Sequence, residues 1–168
     1  VHITDVEVPV ENRIGEENKG WGYAKGLLAH ERTGLAGISR SIVALENLKK
    51  QAGSVKRGNG SLMDEPTFKL KIAELEADLM AVEYTELRSL ASAASGNEPG
   101  PESSILKLKG TEIQQRLQRL TMEAGGIYSS AWGMSNVGPS FARSGMSGYL
   151  YSRAFTIDGG ASEVQKDV

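Results

Sequence analysis

The chain has 168 residues, 39% hydrophobic and 24% charged, with 19 basic and 21 acidic side chains and a net charge of −2. Those values predict one folded domain with a single core, and the charge balance argues against nucleic acid or an anionic membrane as the main partner. With no cysteine and only His2 and His30, disulfides, thiolate catalysis and cysteine- or histidine-built metal centres are excluded. No stretch has the length and apolarity of a membrane span and none reads as a signal peptide, so the expected location is the cytoplasm.

Residues 1–10 (VHITDVEVPV) alternate apolar and polar, with β-branched side chains, and predict a short strand that Pro9 ends. A strand alone cannot pair, and the chain opens on Val1 rather than Met, so the expectation is a piece of something longer. Residues 11–20 are polar and turn-like. A long helix is predicted over 20–53, with Leu28, Glu31, Leu35, Ile38, Ile42 and Leu45 on one stripe. The glycine-rich loop over 53–63 is expected to be mobile. Asp64, Glu65 and Pro66 read as a helix start. The helix that follows, over 65–94, carries Phe68, Ile72, Leu75, Leu79 and Val82 at steps of four and three.

After the break at 96–101 a third helix is predicted over 102–124, with Leu106, Ile113, Leu117, Leu120 and Ala124 on one face and Gly125-Gly126 as its stop. Residues 127–144 show no usable period and read as a long loop. A fourth helix over 145–157 ends in the turn Asp158-Gly159-Gly160, and 161–168 begin another. The expected fold is all-α, an up-down four-helix bundle over 19–168. A terminal strand and linker from an absent β domain occupy 1–18.

Glu31 is the odd residue on the first stripe. An ionised side chain among apolar ones is costly to bury unless it is paired or its pKa rises. A carboxylate with a raised pKa beside a cavity is also what proton abstraction requires. A core-edge Glu paired with a neighbouring Arg is the plain structural alternative.

Five segments, in order along the whole chain, resemble the last two-fifths of the flavin-dependent acyl-CoA dehydrogenases. They are 6–21 (VEVPVENRIGEENKGW), 27–37 (LLAHERTGLAG), 99–115 (PGPESSILKLKGTEIQQ), 122–126 (MEAGG) and 151–165 (YSRAFTIDGGASEVQ). The resemblance implies an enzyme that removes a proton α to a thioester and passes a hydride from the β carbon to FAD. Most members place the base in the C-terminal signature, at the position of Gly159. A minority place it directly before an arginine on the earlier helix, which Glu31-Arg32 matches, so the resemblance names Glu31 as the base.

The resemblance further places Arg32, Leu28 and Gly159 at the acyl-CoA substrate, and Gly125, Gly126, Gly160, Ala161 and Glu163 near the flavin. Two Gly-Gly turns at helix ends are equally explained as caps. Asp158 and Ala161 depart from the family's usual aromatic residue and threonine, and its arginine-phenylalanine-glycine stretch is missing after the first helix. In such a family the bundles associate, so a homo-oligomer is expected, with the electron-transfer partner unspecified. The flavin lies largely against the β domain, so this piece alone is expected not to retain it. Two other functions fit the same residues: a non-catalytic helical assembly subunit of a mixed oligomer, and a flavin-dependent relative that uses oxygen.

Overall fold

The structure, a computed structural model, describes residues 2–97, 100–132 and 137–167, without the side chains of residues 29, 30, 32 and 33. Among the described residues six α-helices carry the fold: α1 (Gly20–Leu35), α2 (Ile38–Ser54), α3 (Pro66–Ala94), α4 (Glu102–Gly125), α5 (Gly145–Tyr151) and α6 (Ser162–Lys166). A small antiparallel hairpin, β1 (Lys56–Arg57) and β2 (Gly60–Ser61), joins α2 to α3. The class is the all-α bundle that the periodicity predicts. No described helix is long and apolar enough to cross a membrane.

The predicted periodicity holds best in α3 and α4. Phe68, Ile72, Leu75, Leu79 and Val82 are all buried, as are Leu106, Ile113, Leu117, Leu120 and Ala124. They join Ile38, Leu45, Leu48 and Leu62 in one cluster. Pro66 opens α3, where its missing N–H is not needed. Ion pairs run along the rim between the two helices: Lys71 with Glu123 at 2.6 Å, and Arg116 with Asp78. Their order, rising on α3 while falling on α4, marks an antiparallel pair. These partners are largely exposed and each pair contributes at most about 1 kcal/mol, so the apolar seam holds the helices together.

Three expectations about local structure are corrected. The helix predicted over 20–53 is two helices, broken at Ala36-Gly37. Gly37 adopts φ +58, and the last carbonyls of α1 are capped from α4: Gln114 donates to Leu35 O at 3.1 Å and to Ala36 O at 3.0 Å. Residues 2–9 form no strand and are exposed, because no described segment offers their backbone a partner. The segment 53–63 is ordered: Gly58, φ +54, takes the first central position of a two-residue turn, where a II′ turn requires glycine. Leu62 N–H bonds Val55 O at 2.8 Å, and the Asp64 carboxylate accepts from both the Ser61 amide and hydroxyl at 2.8 Å.

Two further segments are more regular, or less so, than their sequences suggested. Within 127–144, 3-10 turns form at Gly126–Ser130 and Ser140–Ala142. The helix predicted over 145–157 tightens after Tyr151 into a 3-10 turn, Ser152–Thr156.

α4 is the organising element, since α1, α2, α3, α5 and α6 all pack on it. Backbone meets backbone closely at Gly110, where a Cβ would lie 2.4 Å from the carbonyl oxygen of Ala36. In a free helix alanine is favoured over glycine by about 1 kcal/mol. Here the clash is with backbone, which cannot step aside. Gly110→Ala is therefore expected to destabilise by about 1–3 kcal/mol, by overpacking against the α1–α2 junction. Urea denaturation measures this, and an unchanged or raised midpoint contradicts it.

Candidate functional site at the α1 end and C-terminal turn

The end of α1 meets the C-terminal turn. Gly159 has φ +65, and a Cβ there would lie 2.1 Å from Cδ1 of Leu35. Leu35 thus fills the direction in which a side chain at 159 would project. Leu28, Glu31 and Leu35 are three and four residues apart and share one face of α1. Glu31 therefore stands one helical turn from the residue that touches Gly159, with Cβ atoms about 5–6 Å apart along the helix. Leu35 thus links the helix that carries Glu31 to the turn that carries Gly159.

The expected burial of Glu31 is corrected. Glu31 is exposed and makes no ion pair or hydrogen bond with any described residue. It is not sunk in a core. Trp21, Leu27 and Leu28 of α1 are likewise 76%, 69% and 42% exposed, whereas the Leu35-Ala36 end is held against α4. The side chain of Arg32, assigned to the acyl-CoA, lies outside the described residues.

The turn itself is held from two sides. Lys107 on α4 is fully buried, and its ammonium donates to Gly160 O at 2.8 Å and to Thr156 O at 3.5 Å. Desolvation pulls the Lys107 pKa below the ordinary lysine value, while Asp158 and Glu163 act in the opposite direction. Gln115 donates to Thr156 Oγ1 at 2.9 Å, and Gln165 on α6 donates to Gly159 O at 3.3 Å. Gly160, φ +96, accommodates that Gln165 side chain, since a Cβ there would meet Nε2 at 2.4 Å. Ala161 is half-buried as the residue before α6, and Glu163 is exposed in the first turn of α6.

Gly125 and Gly126 stand elsewhere. They lie at the C-terminal end of α4, 18 residues beyond Lys107, which is roughly 27 Å along the helix axis. A Cβ on Gly125 would meet Ser129 Oγ at 2.0 Å, so close packing alone demands that glycine. Gly126, φ +56, faces open space. It borders a hollow of about 360 Å³, shared with Arg57, Ala124, Tyr128 and Phe141. Bare backbone beside a guanidinium suits a phosphate-bearing group. That chemistry is compatible with the nucleotide half of FAD. The two glycine groups are too far apart to line one ordinary cofactor pocket. Among the described residues no cluster of three or more His, Cys, Asp or Glu side chains could hold a metal ion.

Sequence reading did not single out Lys107, Gln114 or Gln115. Their signal was present as polar residues at 103, 107, 111 and 114, recurring at helical spacing beside the apolar stripe of α4.

Comparison with known proteins places the chain in a family. The family model "Acyl-CoA dehydrogenase, C-terminal domain" matches residues 18–168. The chain belongs to the acyl-CoA dehydrogenases, a family of flavoprotein oxidoreductases with a helical C-terminal domain. It is 31% identical to the acyl-CoA dehydrogenase FadE26 of Mycobacterium tuberculosis, over 99% of this chain and 42% of that protein. It is 27% identical to the caffeyl-CoA reductase-Etf complex subunit CarC of Acetobacterium woodii, over 99% of this chain and 42% of that one. The solved ChsE4-ChsE5 complex from Mycobacterium tuberculosis superposes with a TM-score of 0.77 at 29% identity, over 98% of this chain and 42% of that chain. The chain therefore spans about two-fifths of the length of the relatives it matches.

Proposed function

We propose that the chain is the C-terminal helical domain, over 19–168, of an acyl-CoA dehydrogenase, with 1–18 as the link from a β domain. The protein oxidises an acyl-CoA thioester across its α,β bond: Glu31 takes the α proton as a hydride leaves the β carbon. FAD, when bound, supplies the hydride acceptor. The observation that carries this reading is the contact of Leu35 with Gly159, which joins the helix bearing Glu31 to the turn where the family's commoner base would stand.

Glu31 is exposed in the chain alone, and the open, apolar flank of α1 around Leu27 and Leu28 is the surface a thioester and flavin would cover. Covering it excludes water from the carboxylate when the substrate is in place. Leu28 lies on the same face, three residues before Glu31, where it lines the acyl chain. Arg32 neighbours the base and serves the acyl-CoA. Gly159 keeps the backbone low beside the thioester, with Gly160, Ala161 and Glu163 at the flavin ring side. Gly125, Gly126 and Arg57 would hold the nucleotide half of a flavin. Because that end of α4 is so far from the turn, it serves a second flavin, one shared with another copy of the chain.

Association is favoured by a second apolar row on the outside of α3. Met80, Tyr84 and Leu87, at steps of four and three, are 57%, 63% and 53% exposed. A homo-oligomer would cover that row. CarC is a subunit of an Etf complex by its own name, and an electron-transferring flavoprotein is the corresponding electron acceptor proposed here.

The reading is tested by mixing the flavin-loaded full-length protein anaerobically with acyl-CoA thioesters of graded chain length and bulk. Bleaching of the flavin by at least one of them is expected. A protein that no thioester bleaches, but whose chemically reduced flavin reacts rapidly with oxygen, would instead be an oxygen-using relative.

A further inference from the structure

We propose that Lys107 is a positioning residue for the thioester: its buried ammonium fixes the backbone of residues 156–160 at the height that the substrate needs beside Glu31. The inference rests on the proposed reading of this site and deepens it.

A lysine with no exposure is rare, because burying an ammonium is costly unless its donors are satisfied. Here the donors go to backbone carbonyls, Gly160 O at 2.8 Å and Thr156 O at 3.5 Å, on either side of the Asp158-Gly159 tip. Two carbonyls drawn to one cation close the turn like a clasp. The acidic groups facing the ammonium from the turn and from α6 are Asp158 and Glu163, which oppose the desolvation that burial imposes on it. Gly159 and Gly160 both have positive φ and bring no side chain to the tip; the other side-chain bonds to its carbonyls, from Ser162 Oγ to Thr156 O and from Gln165 Nε2 to Gly159 O, are each 3.3 Å, longer than that to Gly160 O.

The same face of α4 fixes the other half of the site. Three residues beyond Lys107, Gly110 lets Ala36 approach, and seven beyond it Gln114 caps the carbonyls of Leu35 and Ala36. One straight helix face thus sets the distance between the end of α1, which carries Glu31, and the turn. An apolar residue at 107 would hold neither carbonyl. The function of Lys107 is therefore registration of the turn, beyond filling of the core.

The test uses the flavin-loaded full-length protein with Lys107→Met, which keeps chain length and removes the cation. Amides of residues 157–163 are expected to exchange about tenfold faster or more, as loss of hydrogen bonds from a charged donor allows. Affinity for acyl-CoA is expected to fall about tenfold, read as a rise in the half-saturation of flavin bleaching. Phe68→Leu, at the far end of the bundle, serves as the control for stability loss alone and should move neither reading more than about twofold. Lys107→Arg, which can still donate to both carbonyls, should recover part of the loss. If Lys107→Met does not fold, Gln115→Met removes the bond to Thr156 and should give the same two changes at about two- to threefold.

Faster exchange with unchanged acyl-CoA affinity overturns the proposal, and so does an unchanged turn. If Glu31→Gln leaves flavin reduction intact while Lys107→Met still loosens the turn and weakens acyl-CoA, the base assignment falls and the clasp stands.

Discussion

Phe68→Ala is expected to destabilise the bundle by about 3–5 kcal/mol, against a typical total of about 5–15 kcal/mol for a domain. Phe68 is 1% exposed and is the largest of the fully buried side chains. It sits in the first turn of α3, in the cluster that also holds Leu62 from the 3-10 turn after the hairpin, Ile72 and Leu75 from α3, and Ala52 from α2. Removing the ring deletes its transfer free energy and leaves a hole. The hole cannot collapse easily, because the Ser61–Asp64 bonds hold the backbone on one side and the α3–α4 seam holds it on the other. Urea denaturation followed by helical circular dichroism measures this. A loss under 1 kcal/mol would mean that the α2–hairpin–α3 corner is much looser than its packing indicates.

α3 and α4 were legible in the sequence because each keeps one apolar stripe through most of its length, so local pattern and tertiary burial agree. The break between α1 and α2 was not. The stripe Leu28, Glu31, Leu35, Ile38, Ile42, Leu45 runs straight through it, and the cap that enforces it comes from Gln114, 78 residues away from Ala36. Periodicity cannot report a partner so remote. The same stripe misled on Glu31. Ile38 and Leu45 are 2% exposed, but Leu28, on the α1 half of the row, is 42% exposed. A stripe states that a face wants a partner and does not say that the partner is in the chain.

The hairpin was hidden for another reason. Lys-Arg-Gly-Asn-Gly-Ser has the turn residues but no flanking apolar alternation, and its order comes from Asp64 and Val55 instead. The juxtaposition of α1 with the C-terminal turn was readable only through family resemblance. The residues that build it, Lys107 and Gln114, lie within the segment 99–115 that carries part of that resemblance.

Glu31→Gln is expected to lower the rate of flavin reduction by acyl-CoA by about a thousandfold, within the range for loss of an essential general base. The amide keeps the shape of the side chain and its hydrogen-bonding reach but has no lone pair basic enough to take the α proton. Acyl-CoA binding is expected to survive, because Leu28 and the turn held by Lys107 are unchanged. Adding Gly159→Glu should restore little by itself. A side chain at 159 is strained by φ +65 and meets Leu35 at 2.1 Å, so recovery requires Leu35→Ala as well.

The measurement that bears most directly on the account is anaerobic rapid mixing of the flavin-loaded full-length protein with a thioester it oxidises, wild type beside Glu31→Gln. The account predicts prompt flavin bleaching in the wild type and bleaching slower by about three orders of magnitude in the variant, with acyl-CoA still bound. Bleaching of the Glu31→Gln flavin at the wild-type rate would contradict it and leave Glu31 as a solvent-facing carboxylate with no part in the chemistry.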